Sequence, residues 1–378
     1  MSKPQQPDAT IEADDFIQEA DRNVDPTLDE GRVPVLEADG KLHKNFIPLL
    51  GISKSNNIIN PVADDSLTMF FTERAITLSQ INTVIQGASS PEVVFAIRHG
   101  LDRTDGKLLE FYKRVTSTTT GQEISPTAID ALDLESASSQ YAAITDAASS
   151  GLNMTGDFTI EAWVKIESLG STIVIAGKGN LSSQSTRQYH LEIDSGGTMA
   201  LWTSNGSSTS IINATSDVTV GVWTHIAVAY DESAGRAYFY INAIDAGSPT
   251  GGETTLNTST EPFWVGARLS GASYQLPFDG QIRDLRVWSD LRTSTEIANN
   301  ILTTLVGNET NLEALWLFDS DYLDTTANDN DLTPVNSPVF TEVTSPVIAA
   351  NSWVWLEILS KDGTVTELSV TTLYESSD

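Results

Sequence analysis

The sequence predicts an all-β protein in which a large β-sandwich or jelly roll interrupts a smaller antiparallel β-domain. Short apolar runs alternate with polar residues through most of residues 51–376, Gly, Ser and Asn turns separate these runs, and only one segment has a credible helical pattern. The number of short strands after residue 128 is typical of a sandwich or jelly roll. With 378 residues and 40% hydrophobic content, the chain is long enough for two or three domains.

The composition excludes several classes of function. A formal net charge of -30 with only 21 Lys and Arg argues against binding to nucleic acid or to an anionic membrane. The chain contains no Cys, so disulfides, thiolate zinc sites and a Cys nucleophile are excluded. No run approaches the roughly 18 to 20 apolar residues of a membrane span, and the first residues lack the basic and apolar regions of a signal peptide. We therefore expect synthesis and folding in the cytosol, without membrane insertion.

Residues 1–50 form an acidic segment with few apolar residues. Such a segment buries too little apolar surface to fold alone. Two interpretations stay open, a disordered tail and an extended arm that a partner orders.

Residues 51–128 follow a strand pattern in "SLTMFFTERAITLSQINTVIQG", "PEVVFAIRHGLDR" and "KLLEFYKRV". In the second run Val93, Phe95 and Ile97 face one way and the residues between them face the other. Three or four strands leave an open sheet with exposed edges, so this segment needs further strands.

Residues 129–343 contain the strands of the larger domain. In "FTIEAWVKI" the residues from Phe158 to Ile166 at even numbers share one face, and "WTHIAVAYD", "RAYFYINA", "IRDLRVW" and "EALWLFD" follow. The credible helix is "RTSTEIANNILTTL", in which Thr293 and Glu296 have the spacing of a capping box.

The ordered set of motifs in this segment resembles the laminin-G-like, concanavalin A-like lectin/glucanase jelly roll. "GDFTIEAWVKIES" is similar to its second strand, "GVWTHIAVAYDESAGRAYFYIN" to its W-x-H-x-A-x-x-Y-D hairpin, and "FDGQIRDLRVWSDLRTSTEI" to its closing strand and short helix. One departure is that the usual Asp-Gly turn of the hairpin reads Asn242-Ala243, which argues against a tight type I′ turn. The resemblance implies a concanavalin A-like fold, shared by lectins, adhesive modules and some glycoside hydrolases.

The hydrolase option requires two carboxylates on one strand face, which glucanases of this fold supply through an E-x-D-x-E motif. Here "HLEIDSGG" has Glu192 and Asp194 but Gly196 in place of the second Glu. We therefore expect no catalytic residues and no enzyme activity.

The last strands, in "SWVWLEILSKDGTVTELSVTTLYE", are predicted to form a hairpin around Lys361-Asp362-Gly363. A hairpin alone is barely stable, and the open sheet of residues 51–128 needs edge partners. The predicted organisation is an N-terminal arm (1–50), a discontinuous antiparallel β-sandwich (51–128 plus 344–376) and an inserted jelly roll (129–343).

Joined together, the two parts of the discontinuous domain resemble a small β-domain of tailed-phage virion proteins. The resemblance rests on "PEVVFAIRHGLDR", on "TTTGQ" and on the "SWVWLEI" strand, while "GRVPVLEADGKLHKNFIP" is similar to the linker of phage appendage proteins. It implies a virion component, in the tail or on the capsid, whose N-terminal arm docks on other virion proteins and which forms a homo-oligomer, with a trimer as the expected copy number.

Two candidate binding sites follow from side-chain chemistry. The "DTTANDND" loop clusters oxygen ligands that suit Ca²⁺, at Asp324, Asn328, Asp329 and Asp331, although Asn and Asp also favour turns for backbone reasons. Trp202, in the turn-rich "ALWTSNGSSTS", is the candidate for stacking on a sugar. The other Trp residues of this segment coincide with strand positions of the family and are predicted to be structural: Trp163, Trp223, Trp288 and Trp316.

Three functions are weighed. The leading hypothesis is a non-enzymatic phage virion protein that displays a lectin-like jelly roll to bind host-surface glycan. The second is a structural decoration or cement subunit that binds no sugar, and the third, disfavoured by Gly196, is a glycoside hydrolase.

Overall fold

The computed structural model describes residues 52–59, 66–87, 91, 93–101, 107–115, 122–124, 127–301, 303–361 and 365–376. Within these residues the chain forms 26 strands, one α-helix and three short 3-10 helices, so the predicted all-β class is confirmed. The predicted N-terminal arm, residues 1–50, lies outside the described residues.

The strands follow one another in the order β1 (Ile52–Ile59), β2 (Ser66–Thr72), β3 (Ile76–Gly87), β4 (Val93–Gly100), β5 (Lys107–Val115), β6 (Gln122–Ile124), β7 (Ile129–Leu134), β8 (Tyr141–Ile144), β9 (Phe158–Ile166), β10 (Ile173–Gly179), β11 (Arg187–Ile193), β12 (Thr198–Ser204), β13 (Thr209–Asp217), β14 (Thr224–Asp231), β15 (Arg236–Ile241), β16 (Ile244–Asp245), β17 (Phe263–Val265), β18 (Arg268–Ser270), β19 (Ser273–Gln275) and β20 (Gly280–Trp288). After α1 (Ser294–Asn300) come β21 (Leu312–Trp316), β22 (Thr333–Val335), β23 (Val339–Thr344), β24 (Val347–Ile348), β25 (Ser352–Lys361) and β26 (Val365–Ser376).

The chain divides into two compact units. The first comprises the described residues up to Glu110, those of Arg114–Pro126 and those from Pro346 onwards, and the second comprises Phe111–Lys113 and Thr127–Ser345. Whether each unit folds independently, as the predicted domain organisation requires, stays a prediction.

In the first unit two sheets share one apolar core. One sheet has the order β1-β26-β3-β24, with β6 also paired to β3, and the other has the order β5-β4-β25-β2. Residues at alternate positions of both sheets meet in the core, among them Ile81 and Leu368 from the first sheet and Phe95 and Leu356 from the second.

The predicted C-terminal hairpin is wrong. Strand β25 pairs with β2 and β4, whereas β26 pairs with β1 and β3, so the two strands lie in different sheets. Each also occupies an interior position of its sheet and not an edge. The physical reason is the shared core, which contains Val354 and Leu356 of β25 together with Leu368 and Val370 of β26. Because the two strands lie in sheets that face each other, both bury these apolar side chains in the same core.

The second unit is also built from two sheets around a core. One sheet has the order β13-β12-β11-β10-β17-β8-β22, and the other runs β16-β15-β14-β9-β20-β7-β23, with β21 paired to β20. Apolar residues from both sheets form one buried cluster that includes Phe158, Leu191, Val228 and Phe263. This is the jelly-roll-like sandwich that the strand pattern predicts.

The predicted helix and its capping box are confirmed. The Thr293 side chain accepts a hydrogen bond from the Glu296 backbone N–H, and the Glu296 carboxylate accepts one from the Thr293 backbone N–H. Ile297 of this helix packs on Ala227 and Ala229 of β14, on the face of the sheet that points away from the main core. Both faces of that sheet are therefore buried at this point.

The turn between β15 and β16 differs from the sequence expectation. Asn242 and Ala243 both have positive φ angles, 51° and 63°, as a two-residue type I′ turn requires. The Asn242 side-chain oxygen accepts a hydrogen bond from the His225 backbone N–H at 2.9 Å, which helps to hold this conformation without glycine. Within the part of the chain that the structure describes, no helix has the length and apolarity needed to cross a membrane.

Candidate functional site

The candidate site lies on the outer face of the seven-stranded sheet in the second unit. Side chains alternate along β11, so Tyr189, Leu191 and Ile193 point into the core while His190 and Glu192 point away from it. His190 is paired in register with Trp202 on the neighbouring strand β12. The strand period therefore places these polar and aromatic side chains together.

Trp202 is held in one orientation by its neighbours. Its indole ring stacks on the His190 imidazole, with ring centroids 5.0 Å apart and an interplanar angle of 21°. Its Nε1–H donates a hydrogen bond to Glu192 Oε1 at 2.8 Å. The predicted sugar-stacking residue is thus partly buried and oriented, which limits the entropy lost when a ligand packs against it.

Glu192 joins the other members of the site. Its Oε2 lies 3.2 Å from His190 Nε2 and 3.2 Å from Arg268 Nη1. The Arg268 guanidinium carbon also lies 5.7 Å from the centre of the Trp202 ring, within the range of a cation–π contact. We call His190, Glu192, Trp202 and Arg268 the outer-face cluster.

Burial and charge set the protonation of this cluster. Burial lowers the pKa of His190, against the opposing effect of Glu192, and the charges of Arg268 and Arg187 lower it further. Burial by itself would raise the pKa of Glu192, but its interactions with His190, Trp202 and Arg268 bring that pKa below its usual value. Near pH 7 we therefore treat His190 as neutral and Glu192 as ionised.

Arg268 reaches the cluster from the short hairpin β18–β19, which covers part of the same outer face. Leu269 packs on Trp264 and Leu181. The Asn180 side chain both donates to the Gly271 carbonyl and accepts from the Gly271 N–H, at 2.9 and 2.8 Å. These contacts position Arg268 on a rigid support.

A shallow depression with a cavity volume of about 10 Å³ adjoins the cluster. Its polar lining includes Arg187, His190, Trp202, Ser204 and Thr209. This volume is about what one water molecule needs, so the depression itself does not enclose a ligand. A ligand of the cluster would therefore lie across the surface.

The two acidic residues of the glucanase-like motif have different surroundings. Glu192 belongs to the outer-face cluster, whereas Asp194 lies in the turn after β11, where its Oδ1 accepts hydrogen bonds from the N–H groups of Gly196 and Thr198 at 2.8 and 3.0 Å. Asp194 therefore closes a turn. The expected absence of catalysis stays a prediction.

The predicted calcium ligands lie in a loop whose carboxylates already have partners. Asp324 is buried, and its two oxygens accept hydrogen bonds from the N–H groups of Leu315, Thr326 and Asn330 and from the Thr326 hydroxyl. Asp331 accepts one from the Asp324 N–H.

The side chain of Asn328, another predicted ligand, is also engaged, because it donates to the backbone carbonyl and the carboxylate of Glu313. Asp329 follows it with a φ of 52°, in the left-handed region of a tight turn. Within the described residues no group of three or more His, Asp or Glu side chains is arranged to hold a metal ion. Calcium binding by this loop stays a prediction.

The family Trp residues have the structural surroundings expected of them. Their exposed fractions are at most 6% for Trp163, Trp223, Trp288 and Trp316. His225, the His of the W-x-H motif, is fully buried, and its Nε2 lies 3.5 Å from Glu161 Oε2.

The sequence indicates Trp202 as a candidate site residue, but it did not lead to a prediction of His190 or Arg268. His190 could have been found from the period-two pattern, because it shares a strand face with Glu192. Arg268 gives no local signal, since it reaches the cluster only through the position of the hairpin.

Comparison with known proteins agrees with this architecture. Residues 136–298 match the Laminin_G_3 family, described as the concanavalin A-like lectin/glucanases superfamily, so this part of the chain is similar to the lectin-like domains of that superfamily. None of the curated proteins matches the chain in sequence.

Several solved structures match the chain at low identity and with TM-scores below 0.5. A candidate carbohydrate-binding protein of Bacteroides ovatus ATCC 8483 is similar with a TM-score of 0.45 and 13% identity, over 80% of this chain and 95% of that chain. The native heptameric SAP-like pentraxin of Limulus polyphemus gives a TM-score of 0.37 and 13% identity, over 70% and 95% of the respective chains. The Ruminococcus gnavus IT-sialidase CBM40 bound to α2,3-sialyllactose gives 0.34 and 18%, over 39% and 83%.

Proposed function

We propose that the second unit binds carbohydrate through the outer-face cluster. The observation that carries the proposal is the fixed Trp202 ring, which offers an apolar surface beside the hydrogen-bonding groups of Glu192 and Arg268. A sugar presents apolar C–H faces and hydroxyl groups together, so it needs this combination of surfaces. The match of residues 136–298 to a lectin/glucanase family supports the same proposal.

The test is binding of the full-length protein to a glycan array, compared with Trp202→Ala. We expect the substitution to weaken binding at least about 10-fold, since buried aromatic anchors contribute most of the binding energy at an interface. The matched control is Trp353→Ala, because Trp353 is 41% exposed and lies in the first unit. Glycan binding that survives Trp202→Ala, or that Trp353→Ala removes equally, would contradict the assignment of this site.

A finer proposal is that the chain is a structural or appendage protein of a tailed-phage virion, in the tail or on the capsid, and that the glycan belongs to the host surface. It is supported by the resemblance of residues 51–128 and 344–376 to a virion β-domain. On this proposal residues 1–50 dock on other virion proteins and the chain forms a homo-oligomer. Mass spectrometry of purified particles that encode the chain, with sizing of the isolated protein, tests this. Absence from the particle would refute it.

The alternative function is a structural cement subunit that binds no sugar. A complete lack of glycan binding by full-length protein that is present on the particle would favour it. Release of reducing sugar from a host polysaccharide would instead revive the hydrolase hypothesis, despite Gly196 in the motif.

A further inference from the structure

We infer that the ligand of the outer-face cluster is an anionic sugar, whose carboxylate or sulfate group binds Arg268. The inference rests on the proposed function, because it names the class of carbohydrate that the same cluster selects.

The first observation is the local charge. The chain as a whole carries a formal charge of -30, yet the charged side chains acting on His190 are two cations, Arg268 and Arg187, and one anion, Glu192. Lys178, which also lines the depression, pairs with Asp146 at 2.7 Å, and the charge of Glu261 also acts on it. Around His190, two guanidinium groups therefore face one carboxylate, that of Glu192. An anionic sugar would supply a second negative group to these two cations.

The second observation is the unused hydrogen-bonding capacity of Arg268. A guanidinium has five N–H donors in a planar fork, but among the described residues Arg268 donates only through Nη1, to Glu192. Its Nε is buried and has no hydrogen-bond partner in that part of the chain. The side chain is 18% exposed, so a ligand can reach its exposed N–H groups but not the buried Nε. Guanidinium N–H groups donate strong, charge-assisted hydrogen bonds to carboxylate and sulfate oxygens.

The third observation is the position of Trp202 relative to this donor group. The Arg268 guanidinium carbon lies 5.7 Å from the ring centre, so a sugar ring that packs on the indole brings its acidic substituent within reach of the fork. Asn180 and Leu269 hold the hairpin in place, so little ordering of Arg268 is needed on binding.

A purely structural role for Arg268, as a clamp on Glu192, makes a different prediction. Loss of a clamp would weaken binding of every glycan, because Glu192 orients Trp202 for all of them. Loss of an anion-binding group would weaken binding of acidic glycans more than binding of their neutral counterparts.

The experiment is a glycan array probed with the full-length protein, on which each carboxylated or sulfated glycan stands beside its neutral counterpart, carboxyl-reduced or desulfated. Wild type is compared with Arg268→Gln and with Arg268→Lys, which keeps the charge but not the planar fork. The matched control is Arg236→Gln, because Arg236 is also partly buried and lies 5.8 Å from the centre of an aromatic ring, that of Tyr238, in the other sheet.

We expect wild type to prefer the acidic members. Arg268→Gln should reduce binding of the acidic members about 10- to 100-fold more than binding of their neutral counterparts, whereas Arg236→Gln should keep the wild-type preference. Arg268→Lys is expected to lie between wild type and Arg268→Gln, and it serves as the readout if Arg268→Gln does not fold. The series whose binding falls in the Arg268 variants, carboxylated or sulfated, identifies the acidic group of the ligand. Equal binding of acidic and neutral members, abolished by Trp202→Ala, would overturn the inference and leave the proposed function standing. No binding to any glycan would overturn both.

Discussion

Glu161 gives a direct test of how the second unit is held together. This residue is fully buried on β9, where its Oε1 accepts hydrogen bonds from Trp288 Nε1 at 2.9 Å and from Arg286 Nη1 at 3.3 Å. Arg286 in turn donates to both oxygens of Asp284, to the carbonyl of Asn300 at the end of helix α1 and to that of Thr303 beyond the helix. Glu161 is therefore part of a buried network that connects the end of the helix and the segment after it to the sheet.

The expected cost of Glu161→Ala follows from these contacts. The substitution leaves the buried Trp288 N–H without its acceptor, which costs about 1–3 kcal/mol. The volume that the side chain vacates adds about 1 kcal/mol. We expect a total near 3 kcal/mol, which corresponds to a fall in Tm of about 6–12 °C for a unit of this size. Glu161→Gln keeps an oxygen acceptor for Trp288 and should cost less than about 1 kcal/mol at neutral pH.

The assay is urea unfolding of the full-length chain followed by tryptophan fluorescence, with differential scanning calorimetry to separate the transitions of the two units. Wild type, Glu161→Ala and Glu161→Gln are compared at equal pH and protein concentration. An Ala variant within about 0.5 kcal/mol of wild type would refute the reasoning, because that range is typical of surface substitutions. A Gln variant as unstable as the Ala variant would show that the charge, and not the hydrogen-bond acceptor, stabilises the network.

Two further predictions concern pH dependence and domain organisation. Burial raises the pKa of Glu161 above about 4.5, against the charge of Arg286, so the folded state keeps this proton at pH values where the unfolded chain has lost it. The contribution of Glu161 to the free energy of unfolding is present below about pH 4.5 and is lost as pH rises through its folded-state pKa. In urea titrations between pH 4 and 8, Glu161→Gln should therefore not show this loss of stability with rising pH. Separately, limited proteolysis with mass spectrometry should cut near residues 128 and 343 and release a folded middle fragment, while residues 51–128 stay bound to 344–376. Release of the last strands with the middle fragment would contradict the discontinuous domain.

Local patterns were enough to predict many of the strands, the faces of strands such as β4 and β9, and the helix, although β1 (Ile52–Ile59) was not predicted. The alternation in β9 predicts that Phe158 and Ile160 face the core whatever the neighbouring strands are, because successive side chains always point to opposite faces. The capping box of Thr293 and Glu296 is equally local, since its two hydrogen bonds join residues three positions apart.

The partners of the strands were decided only by the tertiary structure. The apolar pattern of β25 is compatible with two arrangements, one beside β26 in the same sheet and one opposite β26 across a core. The apolar area buried in the complete sandwich decides between these two arrangements. For the same reason the sequence alone indicates Trp202 as a candidate for sugar stacking, which stays a prediction, but not the residues that surround it. Arg268 is 76 residues from Glu192 in the chain, and their contact exists only because the hairpin β18–β19 packs over the outer face of the sheet.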